Sequence, residues 1–97
     1  MPTYISLVKW TDQGIRNVKG SSQRLDAFKK GVEAAGGKVK AFYLTMGRCD
    51  MVVIVEALSD EAAAAVMLSV GRLGNVRTET LKAFPEDQYR GIIAKVQ

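Results

Sequence analysis

Residues 51 to 55 form an unbroken apolar run, Met-Val-Val-Ile-Val, with Asp50 before it and Glu56 after it. Because successive side chains of a strand point to opposite faces of a sheet, a strand of this sequence is apolar on both faces. A chain of 97 residues has few other elements with which to cover two faces. The run therefore predicts a central strand, and we expect a second copy of the chain to supply part of its cover.

The bulk composition is that of one small globular domain and excludes several classes of protein. Hydrophobic residues make up 47% of the chain and charged residues 25%. The single cysteine, Cys49, excludes an internal disulfide. No apolar stretch approaches the roughly 20 residues that span a bilayer, and the N-terminus lacks the pattern of a signal peptide. We expect a cytoplasmic protein with no membrane partner.

Strand and helix patterns alternate along the chain. Strand patterns cover residues 4–10, 39–45, 50–56 and 76–84. Helical patterns cover a short turn at 12–18, a first helix that Ser21 or Ser22 can cap, a second helix that Ser59 caps, and a terminal helix that begins at Pro85. Asp12 is expected to cap the short turn. Residues 62–68 are apolar on all sides, which predicts a well-buried second helix.

The order of these elements is β-α-β-β-α-β with an added terminal helix, which is the ferredoxin-like α+β arrangement. Right-handed crossovers place the first and third strands in the centre, with both main helices on one face of the sheet. Met51, Val53 and Val55 share one face of the third strand. Val52 and Ile54 share the other. Only one of these sets can meet the helices, so we predict a homodimer through the open face of the sheet.

The charge pattern gives little support to nucleic-acid binding. The net charge is +4, but the basic residues are spread along the chain and do not form a run. The third strand is aliphatic, whereas RNA-recognition sheets expose aromatic side chains there to stack bases. We expect no nucleic-acid partner.

The chain contains no histidine, which removes the commonest general base, metal ligand and haem ligand. No spacing of cysteine, aspartate and glutamate suggests a metal cluster. We therefore expect neither a metal nor a cofactor.

Asp50 is the candidate catalytic residue. It follows a tight turn at the mouth of the third strand, where a partly shielded carboxylate can act as a base or hold a polar ligand. The alternative is a turn cap that accepts hydrogen bonds from local backbone N–H groups. The neighbouring Cys49 has no histidine to activate it, so a small, semi-buried filler is its simpler role.

Four further side chains are candidates for ligand binding: Trp10, Tyr43, Arg48 and Arg77. The two aromatic residues lie near strand ends and can line a pocket for an aromatic or acyl ligand, or serve as core or interface residues. Arg48 lies beside Asp50. Arg77 can hold an anionic ligand, or its charge can protect an edge strand against aggregation.

Four segments of the chain resemble the GYD-domain family of small bacterial proteins. They are residues 11–19 (TDQGIRNVK), 47–50 (GRCD), 60–62 (DEA) and 74–81 (GNVRTETL). The second lies where the family has its name motif, Gly-x-Tyr-Asp, with Cys49 in the tyrosine position. The resemblance covers nearly the whole chain, so residues 1–97 are expected to be a single GYD-like, ferredoxin-like domain.

The resemblance implies a dimeric α+β barrel but no defined activity, because the function of the family is unknown. Two functions remain open. The first is a homodimer that binds a small molecule between sheet and helices, with cofactor-independent oxygenase-like or isomerase-like chemistry as its catalytic form. The second is a non-catalytic ligand-sensing or interaction module. A sizeable pocket that receives Asp50, Tyr43 or Arg77 favours the first.

Overall fold

Strands and helices follow one another in the predicted order in a computed structural model that describes residues 1–97. The strands are β1 (Thr3–Trp10), β2 (Lys38–Leu44), β3 (Met51–Glu56) and β4 (Val76–Ala83). The helices are α1 (Asp12–Arg16), a 3₁₀ turn (Val18–Gly20), α2 (Ser21–Ala34), α3 (Asp60–Gly71) and α4 (Glu86–Ala94).

The four strands form one antiparallel sheet in the order β2-β3-β1-β4. The two central strands pair in a register that places Ile5 opposite Ile54 and Leu7 opposite Val52. The edge strand β2 carries one irregularity, between Val39 and Ala41. This topology confirms the ferredoxin-like α+β fold.

The apolar run of β3 alternates between two environments. Met51, Val53 and Val55 are buried in the core, whereas Val52 and Ile54 are half-buried. The neighbouring strand β1 repeats the pattern, since Tyr4, Ser6 and Val8 are buried between half-buried residues. Alternation along both central strands confirms that one face of the sheet meets α2 and α3.

The other face, which we call the open sheet face, is apolar at its centre. Ile5, Leu7, Val52 and Ile54 lie there as adjacent cross-strand pairs. Leu81 of β4 pairs with Ile5 and extends the patch, with 43% of its surface exposed. An apolar patch of this kind is typical of an interaction surface.

The terminal helix α4 leaves the domain without packing against it. None of its residues is buried, although Tyr89, Ile92 and Ile93 form the apolar stripe that the sequence predicts. Pro85, the predicted first residue of this helix, lies at the N-cap position, and the helix begins one residue later at Glu86. An amphipathic helix without a partner in its own chain leaves a second apolar surface exposed.

Two of the predicted helix caps are wrong. Thr11, not Asp12, caps α1, because its hydroxyl accepts a hydrogen bond from the Gly14 N–H. Neither serine caps α2: the 3₁₀ turn runs directly into the helix, so Gly20 lies at the cap position. The predicted cap of α3 is confirmed, since the Ser59 hydroxyl accepts from the Ala62 N–H.

The prediction of a well-buried α3 is wrong for the single chain. Only Ala63 and Met67 of this helix are buried, and Leu68 is 74% exposed. The helix rests on the sheet along one stripe, and no other element of the chain covers its outer side. No helix of the protein is long and apolar enough to cross a membrane.

Segment 11–14 packs tightly against the residues that lead into β4. The Thr11 backbone N–H donates to the Asn75 carbonyl at 3.0 Å, and the Thr11 hydroxyl donates to the Gly74 carbonyl. A Cβ atom on Gly14 would overlap the Asn75 carbonyl oxygen. Gly14 is therefore required by the close approach of two backbones.

We expect Gly14→Ala to destabilise the fold by about 1–3 kcal/mol, because the backbone at Asn75 must move to admit the methyl group. Gly31→Ala is the matched control. Gly31 lies within α2, and a Cβ there meets nothing within 4 Å, so this change should stabilise the fold by up to about 1 kcal/mol. Urea unfolding of both variants measures the difference, and equal midpoints would contradict the packing argument.

A polar network closes the opposite end of the sheet. The Tyr4 hydroxyl donates a hydrogen bond to Asp60 Oδ1, and Lys82 Nζ lies 3.1 Å from the same carboxylate. The hydrogen bond from Tyr4, and then that from Lys82, holds the pKa of Asp60 below its usual value. The bond to Asp60, with burial and the nearby negative charge, raises the pKa of Tyr4 to about 12.

These pKa shifts predict how the effect of Tyr4→Phe on the stability of the fold depends on pH. The lowered Asp60 pKa contributes stability above its unfolded value near pH 4, and this contribution is lost as pH falls through the folded pKa. The raised Tyr4 pKa contributes stability below about pH 10, which is lost as pH rises toward 12. The stability difference between wild type and Tyr4→Phe should therefore be largest between about pH 5 and 9.

Urea unfolding across a pH series measures this difference. Tyr89→Phe is the control, because Tyr89 is 56% exposed on α4 and should show no such window. A Tyr4→Phe difference that is the same at pH 3 and pH 7 would contradict the proposed role of the Asp60 charge.

Candidate functional site

A cavity of about 640 Å³ lies between the sheet and the helices α2 and α3. Across it, α2 presents Gly31 and Ala34, and α3 presents Ala62 and Ala65. Side chains this small cannot fill the space between two helices that rest side by side on a sheet. The volume is within the range of small-molecule sites.

The floor of the cavity is mostly apolar, with Ser6 and Thr78 as its polar residues, and a further polar group of residues lies toward one end. Val8, Met51 and Val53 of the central strands lie on the floor. Ser21 at the start of α2 and Asn75 at the start of β4 lie toward the end of the sheet where β1 finishes. The cavity therefore has a mainly apolar body and one end that is more polar.

Arg24 is the only charged residue that lines the cavity. Its Nη1 donates to the Asn17 carbonyl at 2.9 Å, and its Nη2 donates to the Gly14 carbonyl at 3.4 Å. It forms no ion pair. Since guanidinium has five N–H donors, Arg24 keeps donors beyond those used by the two carbonyls.

Sequence reasoning did not identify Arg24 as a site residue. Arg24, Phe28, Gly31 and Ala35 are spaced three and four residues apart, so they lie on one side of the helix. The sequence signal that could have identified Arg24 is its position: it is a cation on the side of the helix whose other residues face the sheet and α3.

Trp10 is the one predicted ligand-binding residue that lines the cavity. Its indole Nε1 is buried and has no hydrogen-bond acceptor in the chain. Its backbone N–H donates to Asp50 Oδ2 at 2.9 Å. The side chain of Trp10 therefore carries an unused donor. The backbone of Trp10 connects the cavity to residues 47–50, the segment at the position of the family's name motif.

Asp50 lies outside the cavity lining and joins three segments of backbone. Its carboxylate accepts from Trp10, its N–H donates to the Val8 carbonyl at 2.8 Å, and its carbonyl accepts from the Thr45 N–H. The carboxylate thus bonds the backbone of the neighbouring strand, 40 residues away in sequence, and not the local N–H groups of the turn-cap alternative. The adjacent Cys49 is half-buried, and its carbonyl accepts from the Thr45 hydroxyl at 2.7 Å.

The other candidate residues do not join Trp10. Tyr43 pairs with Val52 and lies on the open sheet face, 60% exposed. Arg77 pairs with Lys9 on that same face, on the opposite edge strand. Arg48 is exposed in the connection between β2 and β3. The predicted site residues are therefore divided between two sides of the sheet.

Two proteins of Thermus thermophilus are similar to this chain along most of its length. One, named "glutamine synthetase and cystathionine beta-lyase binding protein", is 35% identical over 86 residues, which are 88% of this chain and 90% of that protein. The other is the crystal structure of TTHA0845, which is 25% identical, with a TM-score of 0.56 over 88% of this chain and 95% of that one.

More distant structures share the fold alone. A feast or famine regulatory protein from Mycobacterium tuberculosis, solved in complex with L-methionine, is 19% identical with a TM-score of 0.63. The match covers 91% of this chain but 55% of that protein. The model of the GYD domain matches residues 4–93, which include all four segments on which the resemblance was based. The chain belongs to the GYD-domain family.

Proposed function

We propose that this GYD-domain protein is a non-catalytic interaction module that works in the cytoplasm as a homodimer and binds a metabolic enzyme. The observation that carries the proposal is the 35% identity, over 90% of its length, to a protein named for binding two enzymes. The exposed apolar surfaces of the single chain support it, since they exceed what a small domain needs for its own core.

The open sheet face is the surface proposed for self-association. Two such faces related by a two-fold axis place Ile5, Leu7, Val52 and Ile54 of each protomer against the same residues of the other. Packing of this kind builds the dimeric α+β barrel expected of the family. Tyr43 and Arg77 then lie toward the edges of the interface, where polar groups are tolerated.

The dimer is tested by size-exclusion chromatography with light scattering. At micromolar concentration we expect a mass of about twice the 10.6 kDa chain. Val52→Lys should give a monomer with an unchanged circular dichroism spectrum, because two lysines would be buried face to face. Gln23→Lys, at an exposed position of α2, should remain dimeric. A monomeric wild-type protein would overturn the arrangement.

The outer side of α3 is the surface proposed for the enzyme partner. Leu68 is 74% exposed near the end of this helix, and Leu73 just beyond it, which also lines the cavity, is 66% exposed. Both lie on the helix side of the sheet, so a dimer through the open face leaves them accessible. Exposed leucines of this kind are suited to an apolar patch at the centre of an interface.

The partner is tested with purified glutamine synthetase and cystathionine beta-lyase from the source organism of this chain. Biolayer interferometry should detect binding to at least one of them. Leu68→Glu should weaken that binding by about tenfold or more, because it places a charge in an apolar contact. Gln23→Glu adds the same charge on α2 and should have no effect. Failure of the wild-type protein to bind either enzyme would reject these partners.

A second candidate function is supported by the 640 Å³ cavity, which is large enough for a small-molecule ligand. Asp50, the candidate base, does not line the cavity, so ligand binding is favoured over the catalytic form of this candidate. Native mass spectrometry of freshly purified protein tests it. A bound metabolite would support a ligand-sensing module.

A further inference from the structure

We infer that the cavity between the sheet and the helices α2 and α3 binds a fatty-acid-like anion, with its carboxylate at Arg24 and its alkyl chain along the groove. The inference rests on the second candidate function, because it names the ligand class of the same cavity. Three features of the cavity carry it: its charge, its shape and its lining.

The charge of the cavity selects an anion. Arg24 is the only charged residue in the lining, and no carboxylate of the chain forms an ion pair with it. A guanidinium beside an apolar groove is suited to a ligand carboxylate, because charge-assisted hydrogen bonds strengthen where water is displaced. The Asn17 and Gly14 carbonyls that accept from Arg24 hold the guanidinium in place.

The shape of the cavity favours a linear ligand. Lining residues of α2 extend from Ser21 to Ala34, which is about 20 Å at 1.5 Å per residue. Arg24 lies one turn from the Ser21 end. A ligand carboxylate held by Arg24 therefore leaves most of the groove for an alkyl chain. Gly31 and Ala65 keep that part of the groove open from the two sides.

The lining favours an alkyl chain over a polar one. Val8, Phe28, Met51 and Val53 are among its residues, and burial of each methylene of a ligand against such surfaces favours binding. Ser21 and Asn75 lie toward the Arg24 end, where their O–H and N–H groups can donate hydrogen bonds to a carboxylate. The other polar residues of the lining are Ser6, Ser69 and Thr78, and the hydroxyls of both serines are already bonded within the protein. The polarity of the cavity thus matches that of an amphipathic anion.

Trp10 provides the measurement, because it is the only tryptophan in the chain and it lines the cavity. Trp10 fluorescence is recorded while the protein is titrated with decanoate, 1-decanol or decyltrimethylammonium. The two ions are kept below their micelle concentrations and the alcohol below its solubility limit. Decanoate should bind most tightly and the cation most weakly. Equal affinity for all three, or no change with decanoate in either fluorescence or calorimetry, would overturn the inference.

Substitutions at Arg24 test the position of the carboxylate. Arg24→Gln should weaken decanoate binding by about tenfold and leave decanol binding unchanged, since only the anion loses a charged partner. Arg24→Lys keeps the charge and should recover most of the affinity, which separates recognition of the anion from support of the loop. Arg16→Gln removes an exposed arginine outside the cavity and should change nothing. Equal loss of decanoate and decanol in Arg24→Gln would place the carboxylate elsewhere.

A substitution that fills the groove tests the position of the ligand's alkyl chain. Gly31→Leu places a large side chain where a Cβ meets nothing within 4 Å, so it should fold and exclude decanoate. Gly71→Leu is the matched control: it is also a helical glycine with open space around its Cβ, but it lies outside the lining. Unchanged decanoate binding by Gly31→Leu would overturn the inference.

The outcome for the inferred ligand is distinguishable from the outcome for the cavity itself. If native mass spectrometry finds a bound metabolite that is not an amphipathic anion, the ligand class is wrong and the second candidate function stands. If decanoate binds and shows the Arg24 dependence, both are supported.

Discussion

The structure depends on one constraint, which is that two helices cover one face of a four-stranded sheet and nothing in the chain covers the other. Only 12 of the 97 residues are buried, so the core is thin for a chain of this length. The apolar open sheet face follows from it, and the cavity beneath the helices and the unpacked α4 add to it. Each is apolar surface that the single chain leaves uncovered, which is why association is the natural completion of this fold.

The strands and their order could be predicted because they depend on local patterns. The run at 51–55 indicates a strand apolar on both faces, and the short connection before it requires an antiparallel neighbour. From there, right-handed crossovers leave one arrangement of four strands. The prediction that α3 is well buried was wrong because composition shows that a helix is apolar. It cannot show whether the rest of the chain covers that helix. Leu68 is the clearest example, since it is apolar, helical and 74% exposed.

The helix caps and the site were harder to predict, because contacts distant in sequence decide them. Thr11 and Asp12 are both good capping residues, and the bond from Thr11 to the Gly74 carbonyl favours the first. Tyr43 and Arg77 lie one residue along their strands from Phe42 and Thr78, which do line the cavity. A one-residue step changes the face of a sheet, so residue type alone could not separate the cavity side from the open side.

The same alternation allows the two sides of the sheet to carry separate tasks. Backbone hydrogen bonds hold β1 and β3 in register whatever their side chains are, and Asp50 adds to them by binding the Trp10 N–H. Residues that point to the helices can then change to suit a ligand, and residues that point away can change to suit a partner, without either set disturbing the other. A fold organised in this way can persist at 19% identity in proteins with different names, because the constraint acts on the backbone and on apolar character, and specific side chains matter only at each surface.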